Sequence, residues 1–363
     1  MKKILFDNQM FTLQRFGGVT RYFADLMCNL QAEEFSASMP AYFCENHYLT
    51  ETYGRKYQTL GWPRNYRLRR CLYKIVNTHV AWKALKYDDY DIFHPTYFSP
   101  YFLKTLKHRQ KPFVLTVHDM TFEHYPQDVL LYDRTIPHKK LLIAEADRII
   151  AVSENTKRDI VKILGTDPAK ISVVHHGFRP VVQPAVRMFD RYVLYVGERK
   201  GYKNFFQWLS AIRPILVMDP TLMVVCTGNN FSRSEVEFFR KWNIADRVVH
   251  ISADEAQMAS LYSHALCFVF PSHYEGFGIP IIEAFSYGCP VCLSDASCFP
   301  EVAADAAVYF NPNDAKSMHD ALLELIKHET LRKELRLKGL QRVKEFSLER
   351  MVQNTCEVYR DLI

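Results

Sequence analysis

Short apolar segments typical of buried strands alternate with segments of helical periodicity along most of this 363-residue chain. The strand-like segments of the first half are KKILFD, DIFHPTYF, PFVLTVHD, DRIIAVS and ISVVHHGF, and those of the second half include YVLYVGE, TLMVVCTG, DRVVHIS and LCFVFPS. Helical patterns such as VTRYFADLMCNL, ENTKRDIVKIL and NFFQWLSAIRPIL lie between them. Tyr22, Phe23 and Leu26 fall on one apolar stripe of the first pattern, and Ser153 is a candidate N-cap of the second. Strands that alternate with helices form parallel sheets covered on both faces. The sequence therefore predicts an α/β protein with two doubly wound, Rossmann-like domains that face a cleft.

One stretch without clear periodicity separates the two series. RPVVQPAVRMFDR contains two prolines and is predicted to be a linker around residues 179–190. We therefore expect an N-terminal domain over residues 1–180 and a C-terminal domain over residues 190–345. Residues 346–363 have helical periodicity with Ser347 as a candidate N-cap, and we expect this helix to pack back toward the N-terminal domain.

Composition narrows the class of protein. Hydrophobic residues make up 48% of the chain, which is enough for large cores and excludes a disordered protein. The nine cysteines are scattered and odd in number, which favours a reducing compartment. MKKILFD is too short an apolar start for a signal peptide, and no apolar run approaches the ~18 residues of a membrane span. We expect a cytoplasmic protein, peripheral at most on the inner face of the membrane.

The stretch SHYEGFGIPIIEAFSYG places Glu275 and Glu283 seven residues apart, with a glycine-containing loop between them. A strand-like segment leads into this loop, Pro280 can occupy the first turn of a following helix, and Gly288 can cap the other end of that helix. The residues that would present backbone N–H groups at that helix start are Gly276, Phe277, Gly278 and Ile279. A helix N-terminus of this kind suits a phosphate. Glu283 could accept hydrogen bonds from a ribose, and Glu275 from a second polyol, so the stretch predicts a nucleotide-sugar site.

The same stretch resembles the E-x7-E signature of the large retaining glycosyltransferase family numbered four, whose members have the two-domain GT-B fold. The similarity extends over EGFGIPIIEAFSYGCPVCLSDASCFPEVAADAAVYFNPND. The resemblance implies that Glu283 holds the ribose and that Glu275 orients the transferred sugar. In VGERKGYKN, Lys203 falls where the family keeps a lysine, whereas Glu198 stands at the usual arginine position and Arg199 follows it. Lys203 and Arg199 would neutralise the departing diphosphate, so no metal and no cofactor is expected.

The resemblance also implies roles for residues elsewhere in the chain. Gly17 and Gly18 of FGGV resemble the glycine loop of the N-terminal domain. His118 ends the strand-like segment of TVHD, where the family commonly has a histidine near the reacting sugar. Gly228 of GNN and Ile251 of VVHIS would line the base and ribose pocket.

Three motifs indicate other chemistry and are interpreted as structural. Asp88–Asp91 contains D-x-D, a metal motif of another glycosyltransferase fold, but it directly precedes IFHP and is typical of a strand entry or turn. Cys289 and Cys292 form a CxxC that runs into a strand rather than a helix N-terminus. His175 and His176 are adjacent and lack the spacing of a helical zinc pair.

A basic segment occupies residues 55–86, with nine lysines and arginines, interleaved aromatic residues and no Asp or Glu. Two interpretations remain open. The segment could dock on an anionic membrane or a lipid-diphosphate-linked acceptor. It could instead be a solvated basic helix pair. No nucleic-acid-binding motif accompanies the charge, so no nucleic-acid partner is expected.

The resemblance as a whole implies a hexosyltransferase. The donor would be a UDP- or GDP-linked sugar, and the acceptor a saccharide or lipid-linked saccharide in surface polysaccharide or lipopolysaccharide synthesis. Two alternatives are a nucleotide-sugar epimerase on the same fold and a non-catalytic module that binds a nucleotide-sugar.

Overall fold

The computed structural model of the protein describes residues 1–30, 34–60, 65–128, 133–180 and 186–363. The chain divides into two compact units. Unit 1 consists of Met1–Gly177 and Leu348–Ile363, and unit 2 consists of Phe178–Ser347. The divisions at 177/178 and 347/348 lie within a few residues of the expected boundaries at 180 and 345. Unit 2 begins at Phe178, however, well before the expected start at 190, so the expected linker belongs to this unit. Linker residues 181–185 lie outside the described residues, and residues 186–190 form neither helix nor strand.

The described part of unit 1 contains six strands that pair in parallel. They are β1 (Lys2–Phe6), β2 (Phe35–Ser38), β3 (Ile92–His94), β4 (Val114–Val117), β5 (Arg148–Ala151) and β6 (Ile171–Val173). β1 lies between β2 and β3, and β5 lies between β4 and β6. A parallel bridge between Phe93 and Phe113 joins the two groups at β3 and β4. Side chains on both faces of β1 and β5 are buried, as is typical of parallel sheets with helices on each face.

Helices follow most of these strands. They are α1 (Gln9–Leu13), α2 (Gly18–Asn29), α3 (Tyr66–Tyr87), α4 (Leu103–Arg109), α5 (Thr121–His124), α6 (Thr135–Glu145) and α7 (Glu154–Leu164). The predicted stripe of α2 is buried, with Tyr22, Phe23 and Leu26 at most 3% exposed. The predicted N-cap of α7 is confirmed, because the Ser153 hydroxyl accepts from the backbone N–H of Thr156 at 3.0 Å.

Unit 2 contains a six-stranded parallel sheet with the order β12-β11-β10-β7-β8-β9. Its strands are β7 (Tyr192–Tyr195), β8 (Met223–Cys226), β9 (Val248–His250), β10 (Cys267–Phe270), β11 (Val291–Ser294) and β12 (Ala307–Phe310). The chain builds the sheet from β7 toward β9 and then returns to build from β10 toward β12. The order therefore reverses between β7 and β10. In open α/β sheets this reversal creates a crevice at the carboxyl ends of the two strands, where ligands bind.

The helices of unit 2 cover both faces of this sheet. They are α8 (Phe205–Met218), α9 (Arg233–Lys241), α10 (Glu255–His264), α11 (Ile279–Ser286), α12 (Phe299–Ala303), α13 (Ala315–Lys327) and α14 (Glu329–Arg342). Two of them begin with capping boxes, formed by Ser232 with Glu235 and by Asp254 with Gln257. Trp208 of α8 is fully buried and stacks on Tyr195 of β7, with 5.7 Å between ring centroids.

The last helix, α15 (Leu348–Arg360), belongs to unit 1 although the chain reaches it from unit 2. It packs on α2 and β5. The Tyr359 hydroxyl lies 2.7 Å from Nδ1 of the buried His94 of β3. Met351 and Cys356 of α15 are also buried in the core of this unit. None of the helices in the described ranges has the length and apolar character needed to cross a membrane.

Candidate active site

The loops that follow β7 and β10 contain a largely buried ion pair. Lys203 ends a short 3₁₀ turn after β7, and Glu275 lies in the loop after β10. Lys203 Nζ donates to Glu275 Oε1 at 2.6 Å, and the two side chains are only 17% and 14% exposed. The backbone N–H of His273 donates to the carbonyl of Tyr202 at 2.8 Å, which ties the two loops together. Two predicted residues 72 positions apart therefore meet where the strand order reverses.

Glu275 is also fixed through its backbone. Its N–H donates to the Ser297 hydroxyl at 3.2 Å, and that hydroxyl donates to the Glu275 carbonyl at 2.6 Å. The Cys298 thiol lies 3.3 Å from the same carbonyl oxygen. Sequence reasoning missed Ser297. Its position within the family-like stretch was visible, but nothing in its residue type indicated a contact with Glu275.

The glycine loop leads into α11 as predicted. Gly278 adopts a left-handed conformation with φ +88°, directly before Ile279, and Pro280 lies in the first turn. A Cβ atom on Gly278 would lie 2.9 Å from Cδ1 of Ile281, so both conformation and space favour glycine. Gly276 is buried. The ring of Phe277 packs against Phe346 with 5.6 Å between centroids, so it belongs to the core of unit 2.

Glu283 lies on α11 and is half-buried. The phenol of Tyr262, on α10, donates to Glu283 Oε2 at 3.1 Å. Burial, together with the Glu283 carboxylate beside it, holds the pKa of Tyr262 well above its usual range. The phenol therefore stays protonated and orients the carboxylate. Sequence reasoning missed Tyr262 because an aromatic residue in a helical pattern is typical of a core position.

Arg199, also in the loop after β7, contacts the protein rather than standing in solvent. Its side chain is 4% exposed, and Nε donates to Glu235 Oε1 at 2.6 Å. Nη2 donates to the carbonyls of Asn229 and Asn230 at 2.6 and 3.1 Å. Nη1 is buried and has no hydrogen-bond partner among the residues that the structure describes. Arg199 thus fastens the loop after β8 to the start of α9.

Gly228 and Ile251 lie at the same edge of the sheet, after β8 and β9. Gly228 has φ +100°, and a Cβ there would lie 2.6 Å from the carbonyl oxygen of Gly197. The loops after β7 and β8 therefore approach each other through glycine backbone. The N–H of Ile251 donates to the Cys226 carbonyl at 3.0 Å, and its side chain is half-buried.

The remaining predicted residues belong to unit 1. His118 follows β4, and its ring stacks on His176 with 5.5 Å between centroids. Both ring nitrogens of His118 are buried without a hydrogen-bond partner in the described ranges. Burial, and to a lesser extent His94, lowers the pKa of His118 to about 3, so the ring is neutral near pH 7. Gly17 and Gly18 begin α2, and the Gly17 carbonyl accepts the first backbone bond of that helix.

The competing motifs have structural partners. Asp89 forms an ion pair with Lys3 of β1 at 3.3 Å, and Asp91 accepts from the Lys3 backbone at 2.8 Å. Within the described ranges, no group of three His, Cys, Asp or Glu side chains could hold a metal ion. Burial raises the thiol pKa of Cys289 and of Cys292 well above the usual range, which disfavours reactive thiolates.

Two family models match the chain, one on each half. "Glycosyltransferase Family 4" matches residues 16–180, and "Glycosyl transferases group 1" matches residues 183–342. The chain belongs to glycosyltransferase family 4. The family predicted from the glycine loop is thus confirmed, and the match extends over both halves of this glycosyltransferase.

Curated relatives include two bacterial enzymes. O-antigen chain mannosyltransferase B of Escherichia coli is 26% identical over 303 residues, which cover 77% of this chain and 76% of the relative. O-antigen chain mannosyltransferase RfbU of Salmonella typhimurium strain LT2 is 30% identical over 213 residues, covering 57% and 59% respectively. Among solved structures, Anabaena HepE in complex with UDP-glucose aligns over 100% of both chains with a TM-score of 0.75 at 16% identity. The predicted GT-B fold with two Rossmann-like domains is confirmed for this family 4 glycosyltransferase.

Proposed function

We propose that this glycosyltransferase moves a hexose from a UDP- or GDP-linked donor to a saccharide or lipid-linked saccharide, with retention of the anomeric configuration. The observation that carries the donor assignment is the Lys203–Glu275 ion pair, 2.6 Å long, in the loops where the strand order reverses. The lysine cation matches the diphosphate end of a sugar diphosphate, and the carboxylate matches the hydroxyls of its sugar end. Both side chains are largely shielded from water, which strengthens such contacts. The named activities of the E. coli and Salmonella relatives support mannosyl transfer in surface polysaccharide synthesis, and the ligand of HepE supports a glucosyl donor.

Each residue of the unit 2 site has a role in this proposal. Lys203 would stabilise the negative charge that develops on the departing diphosphate, without a metal. Glu275 would exchange its bond to Lys203 for hydroxyls of the transferred sugar. Glu283, oriented by Tyr262, would accept hydrogen bonds from the ribose. Arg199 would hold the loop after β8 in place beside the nucleotide.

In unit 1, neutral His118 would contact the sugar through a ring nitrogen rather than as a cation. No side chain is assigned as an enzyme nucleophile. In the proposed chemistry the acceptor oxygen bonds to the anomeric carbon on the face from which the diphosphate leaves, the bond from that carbon to the diphosphate breaks, and the hydroxyl proton passes to the departing diphosphate. The anomeric configuration is thereby kept.

The donor assignment is tested by calorimetric titration of UDP, GDP and ADP into wild type, Glu283→Ala and a matched control, Glu237→Ala. Glu237 is an exposed glutamate of α9, outside the site. We expect one diphosphate to bind wild type and Glu237→Ala equally and to lose most of its affinity for Glu283→Ala. Wild-type affinity in Glu283→Ala would refute the role of this carboxylate.

Product analysis separates the alternatives. A transferase releases a glycoside and a nucleoside diphosphate, and NMR of the product reports whether the anomeric configuration is kept. An epimerase changes the donor sugar without any acceptor. A binding module leaves the donor intact after prolonged incubation with a panel of saccharides.

We further infer that α3 contacts an anionic membrane surface. Its inner side is anchored, since Tyr73, Asn77 and Leu85 are buried in unit 1. On its outer side Leu72 and Ile75 are 41% and 68% exposed. Exposed lysines accompany them, and the segment contains no acidic residue, which makes its charge complementary to anionic lipid. Arg64 and Trp62 of the predicted basic segment lie outside the described residues.

Vesicle sedimentation tests this surface with phosphatidylglycerol and phosphatidylcholine vesicles. Ile75→Ser should weaken binding to the anionic vesicles several-fold. The matched control is Leu337→Ser, because Leu337 lies on α14 of unit 2 and is 69% exposed. Equal binding of both variants, or no preference for anionic lipid, would show that α3 is a solvated basic helix.

A further inference from the structure

Unit 1 contains a cavity of about 340 Å³ that the donor site does not use. Its lining includes Asn8 and Gln9, which follow β1, and Tyr97 and Ser99, which follow β3. α3 and the start of α6 supply the other walls. The cavity therefore lies at the carboxyl ends of parallel strands, where α/β sheets bind their ligands. Its volume falls within the ~300–1,000 Å³ of ordinary small-molecule sites.

The inner wall of the cavity is held in place by a buried carboxylate. Asp7, at the end of β1, is fully buried and accepts from Gln9 Nε2 at 2.6 Å and from the Tyr101 hydroxyl at 3.2 Å. The side-chain oxygen Oε1 of Gln9 in turn accepts from the Ser99 backbone N–H at 2.8 Å. With the ring of Phe98 beside them, these groups form a rigid wall of amide, hydroxyl and aromatic surface. Hydroxyl-rich ligands with apolar C–H faces, such as sugars, match such a wall.

The mouth of the cavity is positively charged. Lys74 of α3 and Arg134 are exposed, and His138 of α6 is half-buried. In the part of the chain that the structure describes, none of these three side chains forms a hydrogen bond or an ion pair. Asp133 adds one carboxylate to the lining, but it already accepts from the Thr135 N–H at 2.7 Å. Lys74 and Arg134 supply two positive charges and Asp133 one negative charge, so the mouth of the cavity has a net positive charge. A lysine and an arginine without a partner among the described residues suit a phosphate.

We propose that this cavity holds the sugar of a phosphate-bearing saccharide acceptor, with the phosphate at the mouth beside Lys74 and Arg134. The inference rests on the proposed transferase function, because it names the acceptor class of the same reaction. A sugar phosphate has two sources, a lipid-linked glycosyl diphosphate and a soluble glycosyl phosphate. Ile75 follows Lys74 on α3 and is exposed, so an alkyl chain leaving the phosphate would meet apolar surface.

The test is calorimetric titration of the full-length protein, with and without a saturating nucleoside diphosphate that occupies the donor site. The probes are the α-1-phosphates of glucose, galactose, mannose and N-acetylglucosamine, the methyl glycoside of each, and inorganic phosphate. We expect at least one glycosyl phosphate to bind roughly tenfold more tightly than its methyl glycoside and than inorganic phosphate. This ratio is typical of one charge-assisted hydrogen bond added to sugar contacts.

Two variants of α3 locate the interaction. Lys74→Glu should remove the preference for the phosphorylated sugar. Lys83→Glu makes the same change at an exposed position of the same helix that does not line the cavity, and it should bind like wild type. Equal affinities for glycosyl phosphate and methyl glycoside, or equal losses in the two variants, would overturn the proposal. Inorganic phosphate that binds as tightly as every glycosyl phosphate would overturn it too, because a bare anion would then account for the site.

An octyl diphosphate glycoside distinguishes the two sources. Tighter binding than the glycosyl phosphate, lost in Ile75→Ser, supports a lipid-linked acceptor, and equal binding supports a soluble one. The donor titrations distinguish failure of the transferase proposal from failure of the cavity proposal. If no nucleoside diphosphate binds wild type, the transferase proposal fails. If one binds while Lys74→Glu matches wild type toward the sugar phosphates, only the cavity proposal fails.

Discussion

Replacing Arg199 with methionine should lower the stability of unit 2, and not only weaken binding of the donor. Arg199 is the cation that neutralises Glu235, and its Nη2 also satisfies the carbonyls of Asn229 and Asn230. Methionine fills similar space but offers no hydrogen bond. The substitution leaves the Glu235 carboxylate, 11% exposed, with only the Ser232 contacts of its capping box.

Removing one partner of a buried ion pair costs about 3–5 kcal/mol. Because Glu235 keeps some exposure and its capping contacts, we expect the lower end, about 3 kcal/mol. For a unit of 150–250 residues this lowers the melting temperature by about 6–12 °C. Burial alone would raise the pKa of Glu235, but the hydrogen bonds from Arg199 and Ser232 lower it overall. The stability that Arg199 confers is therefore present above the unfolded pKa and is lost as pH falls through the folded value.

Differential scanning calorimetry at pH 7 and near pH 4 measures both effects. The melting temperature of Arg199→Met should lie well below wild type at pH 7, and the difference should shrink at pH 4, where Glu235 is protonated in the variant. Arg240→Met is the control, because Arg240 is exposed near the end of α9. A variant that melts like wild type but no longer binds the nucleoside diphosphate would refute this reasoning and place Arg199 directly on the donor.

Two further predictions concern backbone and pH. Gly228→Ala should destabilise the protein by more than about 2 kcal/mol and weaken donor binding, because the added Cβ would lie 2.6 Å from the backbone oxygen of Gly197. The control is Gly165→Ala, where φ is +66° and the added Cβ would meet open space, so this change should cost only the ~1–2 kcal/mol of a left-handed residue. Similar melting temperatures for the two variants would contradict this. Burial holds the pKa of His94 and His118 at about 3 and that of His176 well below its usual value. Below about pH 6.5 the unfolded chain binds these protons and the folded chain does not. The free energy of unfolding of unit 1 should therefore decrease by up to ~1.4 kcal/mol for each histidine and each unit by which the pH is lowered. Urea unfolding at pH 7, 6 and 5 measures this slope, and a flat profile would show that the histidines titrate when folded.

The sequence predicted the α11 region well because its signals are local. Gly278 supplies the left-handed residue before the helix, Pro280 the first turn, and Gly288, with φ +64°, the stop. Each of these acts through its own backbone conformation. The same holds for the Ser153 cap of α7, whose partner is three residues away. Signals of this kind need no knowledge of the rest of the fold.

The partners of the site residues could not be predicted, because they depend on packing between distant segments. Tyr262 reaches Glu283 across two helices, and Glu235 reaches Arg199 across 36 positions. The cavity of unit 1 is a stronger example. Its lining comes from the segments that follow β1 and β3, from α3 and from the start of α6, and Arg134 lies in a segment with no motif. The basic segment was visible, but only the buried side of α3 shows which residues face outward.

The Lys203–Glu275 pair depends on strand order in a way that the sequence leaves open. Neighbouring strands lie about 4.8 Å apart. Had β10 followed β9 at the end of the sheet, the loops carrying Lys203 and Glu275 would start three strand spacings apart, about 14 Å, and a lysine could not close that gap to 2.6 Å while buried. In the observed order β10 lies beside β7, so both loops start within one spacing. The reversal of strand order is therefore what turns two separate motifs, VGERKGYKN and HYEGFG, into a single charged site.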